Sequence, residues 1–176
     1  MRVRFSGFGG QGIVLAGYIT GQAAVVDDKN AIQNQSYGSE SRGGNCKSDV
    51  IVQDGEIYEL ELDDIDILVA LSQAAHDLYV DQLVPDGILI VDGDLVSPKE
   101  GDHEVHTVPF TDIAFKAFNR KIMGNMVMLG YLVAISDIVS EGSMQKAIES
   151  NVPKGTEEAN VKAYRKGLEL GHQRKG

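Results

Sequence analysis

The 176-residue sequence predicts an α/β fold, a three-layer sandwich with a mixed, mostly parallel sheet and helices on both faces. Three observations carry that prediction. A strand breaks at a glycine-rich turn that opens a helix, compact apolar runs of strand length recur along the chain, and helical patterns stand between them. Each connection is long enough for a crossover between parallel strands.

Val3–Phe5 is the first strand and breaks at Ser6-Gly7, after which Ile13–Val26 carries small and apolar residues at helical spacing. Asn30–Gln35 is a second extended stretch, followed by a polar, glycine-rich loop from Ser36 to Asn45. Residues 48–52 and 56–60 flank Gln53-Asp54-Gly55, and an Asp-Gly between such runs predicts a β-hairpin. Ile65–Leu71 reads as a buried parallel strand, and Ser72 begins a helix that runs to about Leu83. Pro85-Asp86-Gly87 then turns the chain into a strand at Ile88–Val91, which ends at Asp92-Gly93-Asp94. A weaker strand at Glu104–Val108 precedes a helix from Pro109 to Phe118 and a strongly apolar stretch from Asn125 to Val139. Ser143–His172 gives two helices separated by Val152-Pro153-Lys154-Gly155. With no internal repeat, residues 1–176 read as a single domain.

Composition excludes several function classes. A net charge of -10, from 26 acidic and 16 basic residues, argues against a nucleic-acid partner, whose phosphates need a basic face. A lone cysteine, Cys46, cannot build a disulfide framework or hold an iron–sulfur cluster; with no base near it in sequence, it reads as a small buried residue. No signal-peptide pattern opens the chain and no apolar run reaches the roughly 18 residues of a membrane helix, so a soluble, cytoplasmic protein without membrane contact is expected. His76, His103, His106 and His172 lack close ligand spacing beyond His103-x-x-His106, which lies near a strand where residues three apart face opposite sides, so no metal site is expected.

Gly7-Phe8-Gly9-Gly10-Gln11-Gly12 holds the G-x-G-x-x-G spacing between a strand and a helix, the arrangement of a Rossmann-like turn. Such glycines admit a tight turn and bring a ligand close to the backbone, and the amides at the helix start favour an anion. The bland alternative is that they serve only close strand–helix packing. A free-standing dinucleotide-binding protein is a further reading, but the region where an acidic residue would hold the ribose hydroxyls is Ala31-Ile32-Gln33-Asn34-Gln35-Ser36, without a carboxylate. Tyr37-Gly38-Ser39-Glu40-Ser41-Arg42-Gly43-Gly44 adds an aromatic, a carboxylate and a guanidinium on a loop past a strand end, where ligands and partners are met. A local Glu40–Arg42 pair is the alternative there. Asn125 is expected to cap the helix that it opens, Met123, Met126 and Met128 to pack in the core, and the basic residues Lys162, Arg165, Lys166, Arg174 and Lys175 to form a solvated face.

Together, the glycine turn and Tyr37-Gly38-x-Glu40-x-Arg42-Gly43-Gly44 resemble the signature pair of the gamma domain of pyruvate and other 2-oxoacid:ferredoxin oxidoreductases. The similarity continues through Asp66–Gln73, Asp86–Asp92, Gly124–Gly130 and the terminal helix from Asn160 through Tyr164 to Gly167. One departure is Ser39, where the family commonly has proline, which loosens the loop without removing its polar groups. The resemblance implies a gamma subunit with no catalytic residue and no metal of its own. Its complex would hold alpha, beta and delta subunits, thiamine diphosphate, Mg2+ and iron–sulfur clusters. That complex would convert a 2-oxoacid and coenzyme A to an acyl-CoA and carbon dioxide while reducing ferredoxin. Leu71-Ser72-Gln73-Ala74 is closer to the 2-oxoglutarate branch. The implied ligand-facing residues are Gly7, Gly9, Gly10, Gln11, Gly12, Tyr37, Glu40, Arg42, Gly43 and Gly44.

Overall fold

The computed structural model describes residues 1–37, 44–59, 61–99, 101 and 103–175. The strands are β1 (Arg2–Phe8), β2 (Asn30–Tyr37), β3 (Asn45–Gln53), β4 (Ile65–Ala70), β5 (Leu83–Asp92) and β6 (Glu104–Val108). The helices are α1 (Ile13–Val26), α2 (Gln73–Tyr79), α3 (Phe110–Phe118), α4 (Gly124–Ser136), α5 (Glu141–Asn151) and α6 (Glu157–Lys175). The strands form one sheet in the order β2-β3-β1-β4-β5-β6. β3 runs antiparallel to both neighbours, β1 and β2, while β1, β4, β5 and β6 are mutually parallel.

Alternation along the strands divides the core. Val3 and Phe5 of β1, Val50 and Val52 of β3, Ile67 and Val69 of β4 and Ile90 of β5 face α1 and α3 to α6 in the larger hydrophobic cluster. Leu68, Ala70, Leu89 and Val91 point the other way, onto Val80, Leu83 and Val96. Met123, Met126 and Met128 are buried in the larger cluster. The sandwich is therefore lopsided, with five helices on one face and the short α2 with its following 3-10 turn on the other.

Four local expectations are corrected. The hairpin is β2–β3, and residues 55–59 form no strand, because β1 and β2 already occupy both edges of β3 and leave the segment after Asp54-Gly55 nothing to pair with. Ser36, Tyr37 and Asn45, read from sequence as loop, lie in those strands. The helix begun by Ser72, whose hydroxyl accepts the Ala75 amide, ends at Tyr79; a 3-10 turn covers Val80–Gln82 and β5 starts at Leu83. Pro85-Asp86-Gly87 lies within β5, where the register with β4 jumps from Ile65–Leu83 to Ile67–Ile88; a proline that cannot donate to the ladder sits at that irregularity.

After β1 the chain crosses by α1 on the larger face, and after β4 by α2 on the smaller one. Because β1 and β4 are adjacent and parallel, their carboxyl ends part around a crevice, the usual ligand position in an open α/β sheet.

Candidate functional site

The glycine turn lies at the carboxyl end of β1 and opens α1. A side chain on Gly7 would overlap Gln11 and come within 3.3 Å of Leu71, so this glycine is required by packing. Gly9 and Gly10 differ: a Cβ on either would meet nothing within 4 Å, leaving their backbone open to approach. Gly10 and Gly12 adopt φ of 96° and 77°, where a side chain is strained, and a Cβ on Gly12 would overlap the Asn125 amide.

Gln11 braces the turn. Its Oε1 accepts from the Phe8 amide at 2.7 Å and its Nε2 donates to the Leu71 carbonyl at 2.8 Å, tying the ends of β1 and β4 together. The second glycine-rich segment returns beside the turn: Gly9 N–H donates to the Gly44 carbonyl at 3.4 Å, and Phe8 pairs with Asn45. Tyr37 stands 65% exposed at the end of β2, opposite Cys46. Glu40, Arg42 and Gly43 lie outside the described residues.

The crevice is a cavity of about 310 Å³ lined by Gly10 and Gln11, by Leu71 after β4, by Asp92 at the end of β5, and by Thr111, Lys121, Gly124 and Asn125. Two helix starts meet it. α1 and α4 have no acidic residue in the first turn and no side-chain cap, whereas α3, α5 and α6 begin with Asp112, Glu141 and Glu157-Glu158. Their first amides lack helical acceptors and carry the positive end of the helix dipole. Asp92 faces them across the cavity. Its Oδ2 accepts from the Thr111 amide at 3.0 Å and hydroxyl at 2.5 Å, and its Oδ1 accepts from the Asp94 amide at 3.2 Å.

Asn125 is not the cap expected from sequence. It lies inside the first turn of α4, one residue past Gly124, where an Asn side chain is past the capping position. It is 6% exposed, and its amide makes no hydrogen bond among the described residues.

A charged cluster on the smaller face of the sheet escaped the sequence reading. Arg4, 1% exposed, makes a bidentate pair with Asp49 at 2.6 and 2.8 Å, donates to Gln82 and the Leu62 carbonyl, and stacks on Tyr79 at 4.7 Å. The signal was present in Arg2-Val3-Arg4-Phe5, where a charge recurs at period two in a central strand. Buried His76 bonds Asp77 at 2.8 Å, and His106 bridges Tyr131 and Glu104 at 2.7 and 2.8 Å, so both histidines brace secondary structure. Cys46 is buried, which pushes its thiol up and disfavours the thiolate that a metal or cluster requires. Among the described residues no group of His, Cys, Asp or Glu could hold a metal ion, and no helix is long and apolar enough to cross a membrane.

Comparison with known proteins places this architecture. The profile of the family described as pyruvate ferredoxin/flavodoxin oxidoreductase matches residues 2–170. The chain is 49% identical to the 2-oxoglutarate synthase subunit KorC of Methanocaldococcus jannaschii, over 96% of this chain and 92% of that one. It is 31% identical to the pyruvate synthase subunit PorC of Methanothermobacter thermautotrophicus, over 96% and 94%. Its backbone superposes on the keto/oxoacid ferredoxin oxidoreductase gamma subunit from Geobacter sulfurreducens with a TM-score of 0.86 at 41% identity, each chain covered to 97%. A 2-oxoglutarate:ferredoxin oxidoreductase from Magnetococcus marinus, with 2-oxoglutarate, coenzyme A and succinyl-CoA bound, shares the fold at a TM-score of 0.87 and 22% identity; the match spans 31% of that longer chain.

Proposed function

Because this chain belongs to the pyruvate ferredoxin/flavodoxin oxidoreductase family, we propose that its glycine turn and the loop carrying Arg42 form the part of a 2-oxoacid:ferredoxin oxidoreductase that meets coenzyme A. The chain is a gamma subunit of such an enzyme. It works as one part of a multi-subunit complex, and 2-oxoglutarate is the substrate that its similarity to KorC favours over the pyruvate of PorC.

The observation that carries the coenzyme A reading is the exposed backbone at Gly9 and Gly10, beside two uncapped helix starts that carry no acidic first-turn residue. In a chain of net charge -10, that is a local exception suited to a polyanion. Glu40, Tyr37, Gly43 and Gly44 complete the rim in this reading, with Arg42 as the bidentate partner of a phosphate.

Thiamine diphosphate, Mg2+ and iron–sulfur clusters belong to the alpha, beta and delta subunits in this scheme, and ferredoxin docks on the complex rather than on this chain. The residues present fit that division, since the lone buried Cys46 cannot ligate a cluster. The described residues bind, orient and exclude water; none is assigned a covalent step.

The free-standing dinucleotide reading draws no support from the family or from the geometry. β3 stands between β2 and β1, so the end of β2 lies two strand spacings from the turn, and no residue of β2 is acidic. Substituting Arg42→Ala in the assembled complex tests the proposal. The Michaelis constant for coenzyme A is expected to rise at least fivefold with that for the 2-oxoacid unchanged, and an unchanged coenzyme A constant and turnover would remove the loop from the site.

A further inference from the structure

We propose that the outer edge of β2 pairs antiparallel with β2 of a second copy of this chain across a two-fold axis, so that two gamma subunits share one continuous sheet. β2 ends the sheet, with β3 as its neighbour strand among the described residues, and its eight residues run in unbroken register with β3. Edge strands are ordinarily guarded by short length, charge, proline or a bulge, because their outward backbone groups template further pairing. The opposite edge obeys that rule: β6 has five residues and opens on Glu104. β2, from Asn30 to Tyr37, holds no charge, no proline and no bulge.

The helix beside it repeats the anomaly. α1 carries no charged residue on any face, although charged residues make up 24% of the chain, and a helix without a charged outer face is ordinarily covered. Gly21 of α1 lies against β2, a Cβ there standing 4.0 Å from the Ala31 side chain. Tyr18 and Val25, three residues before Gly21 and four after it, therefore flank the same edge, and they are 44% and 56% exposed. At the Asn30 end of the strand, a groove of about 380 Å³ runs beside Ala31 and Ile32 and is walled by Glu56, Ile57 and Tyr58, the last 84% exposed. An added strand sets its alternate side chains against these apolar flanks.

Charge identifies the occupant. A partner of different sequence could meet this acidic chain with basic residues, whereas a second copy brings the same net charge of -10 and is tolerated where neither copy carries any. Glu56, the acidic residue of the groove, stands at one end of the strand. The two-fold sets its copy at the other end, more than about 20 Å away and well beyond the Debye length. Because β1 and β2 both run antiparallel to β3, the same axis carries the two glycine turns to opposite edges of the joined sheet, and the pairing is independent of the coenzyme A reading.

With the axis through the middle of β2, the exposed Gln35 lies diagonal to its own copy, about 7–8 Å away. Sedimentation equilibrium of the full chain should give a dimer. Gln35→Glu and Gln35→Lys should each weaken it at least tenfold by like-charge repulsion, with the far-ultraviolet circular dichroism unchanged. An equimolar mixture of the two should recover most of the lost affinity, less so as salt is added. Val25→Glu, on the exposed side of α1, should weaken the dimer as well and serves in their place if the strand variants do not fold. In the assembled oxidoreductase, Gln35→Cys should cross-link gamma subunit to gamma subunit through a short bifunctional maleimide. The proposal is overturned by a wild-type chain that stays monomeric at about 100 µM, or by a dimer that Gln35→Glu and Val25→Glu both leave within twofold of wild type. Single variants that dissociate without recovery on mixing, or a Gln35→Cys cross-link to a different subunit, overturn it equally.

Discussion

Alanine placed in turn at Gly9 and Gly12 separates the two jobs a glycine turn can do. At Gly9 the added methyl meets nothing within 4 Å and the backbone is outside the left-handed region, so the stability change should lie within about 0.5 kcal/mol of zero, or be favourable through the unfolded chain. At Gly12 the substitution forces a side chain to φ 77° and drives it into the Asn125 amide. The left-handed conformation costs about 1–2 kcal/mol and the overlap about 1–3 more, for a sum near 3 kcal/mol. In a chain of this size that lowers the thermal midpoint by roughly 6–12 °C. Circular dichroism melts of the two variants measure the difference directly. In the assembled enzyme the order should reverse in kind: Gly9→Ala, which narrows the approach to the backbone, should raise the coenzyme A Michaelis constant without a melting penalty. Equal melting losses in both variants, or a neutral Gly12→Ala, would refute the division of the turn into an open half and a packed half.

Replacing Arg4 by Leu leaves the Asp49 carboxylate buried with, among the described residues, Lys47 at 3.1 Å as its remaining cation, and should cost about 3–5 kcal/mol, measured as a fall in the urea midpoint at constant slope. Gly167→Ala would push a methyl onto the Val127 carbonyl and to within 2.8 Å of the Tyr131 amide, forcing α4 and α6 apart; about 3 kcal/mol should be lost, read as a lower thermal midpoint. For Asp27, burial raises the carboxyl, but hydrogen bonds from Ser143 and from the Ser140 amide and hydroxyl outweigh it and hold the group below its ordinary 3.8. A depressed folded-state value stabilises above the ordinary value and is lost as pH falls through the lowered one, so the gap in urea midpoint between wild type and Asp27→Asn should persist at pH 6 and shrink as the pH is taken below about 4.

Much of the architecture was legible because period and punctuation agree with tertiary structure. Ile13–Val26 is the observed α1, and Ser72 caps α2 through its hydroxyl. Asp54-Gly55 misled because turn chemistry is local, whereas pairing depends on which strand edges remain free. β3 had none, as its partner β2 was already fixed across residues 38–44. The glycine turn was legible as a turn, but not the split between Gly7 and Gly12, which pack, and Gly9 and Gly10, which face space. That distinction comes from Gln11, Leu71 and Asn125, the last two remote in sequence. Asn125 was misassigned for the same reason: a helix-start amide reads as a cap until a second element lies against it. Arg4 and Asp49 stayed hidden because a charge pair across neighbouring strands requires the register of β1 with β3.

The central claim is that coenzyme A lies on the backbone of the turn rather than elsewhere in the complex. Amide hydrogen exchange in the assembled oxidoreductase, with and without coenzyme A, tests it most directly. Slowed exchange on coenzyme A addition in the segment from Gly9 to Val14 and at the start of α4, with α6 unaffected, is the predicted result. Saturating coenzyme A that supports turnover yet leaves exchange in both segments unchanged would contradict it.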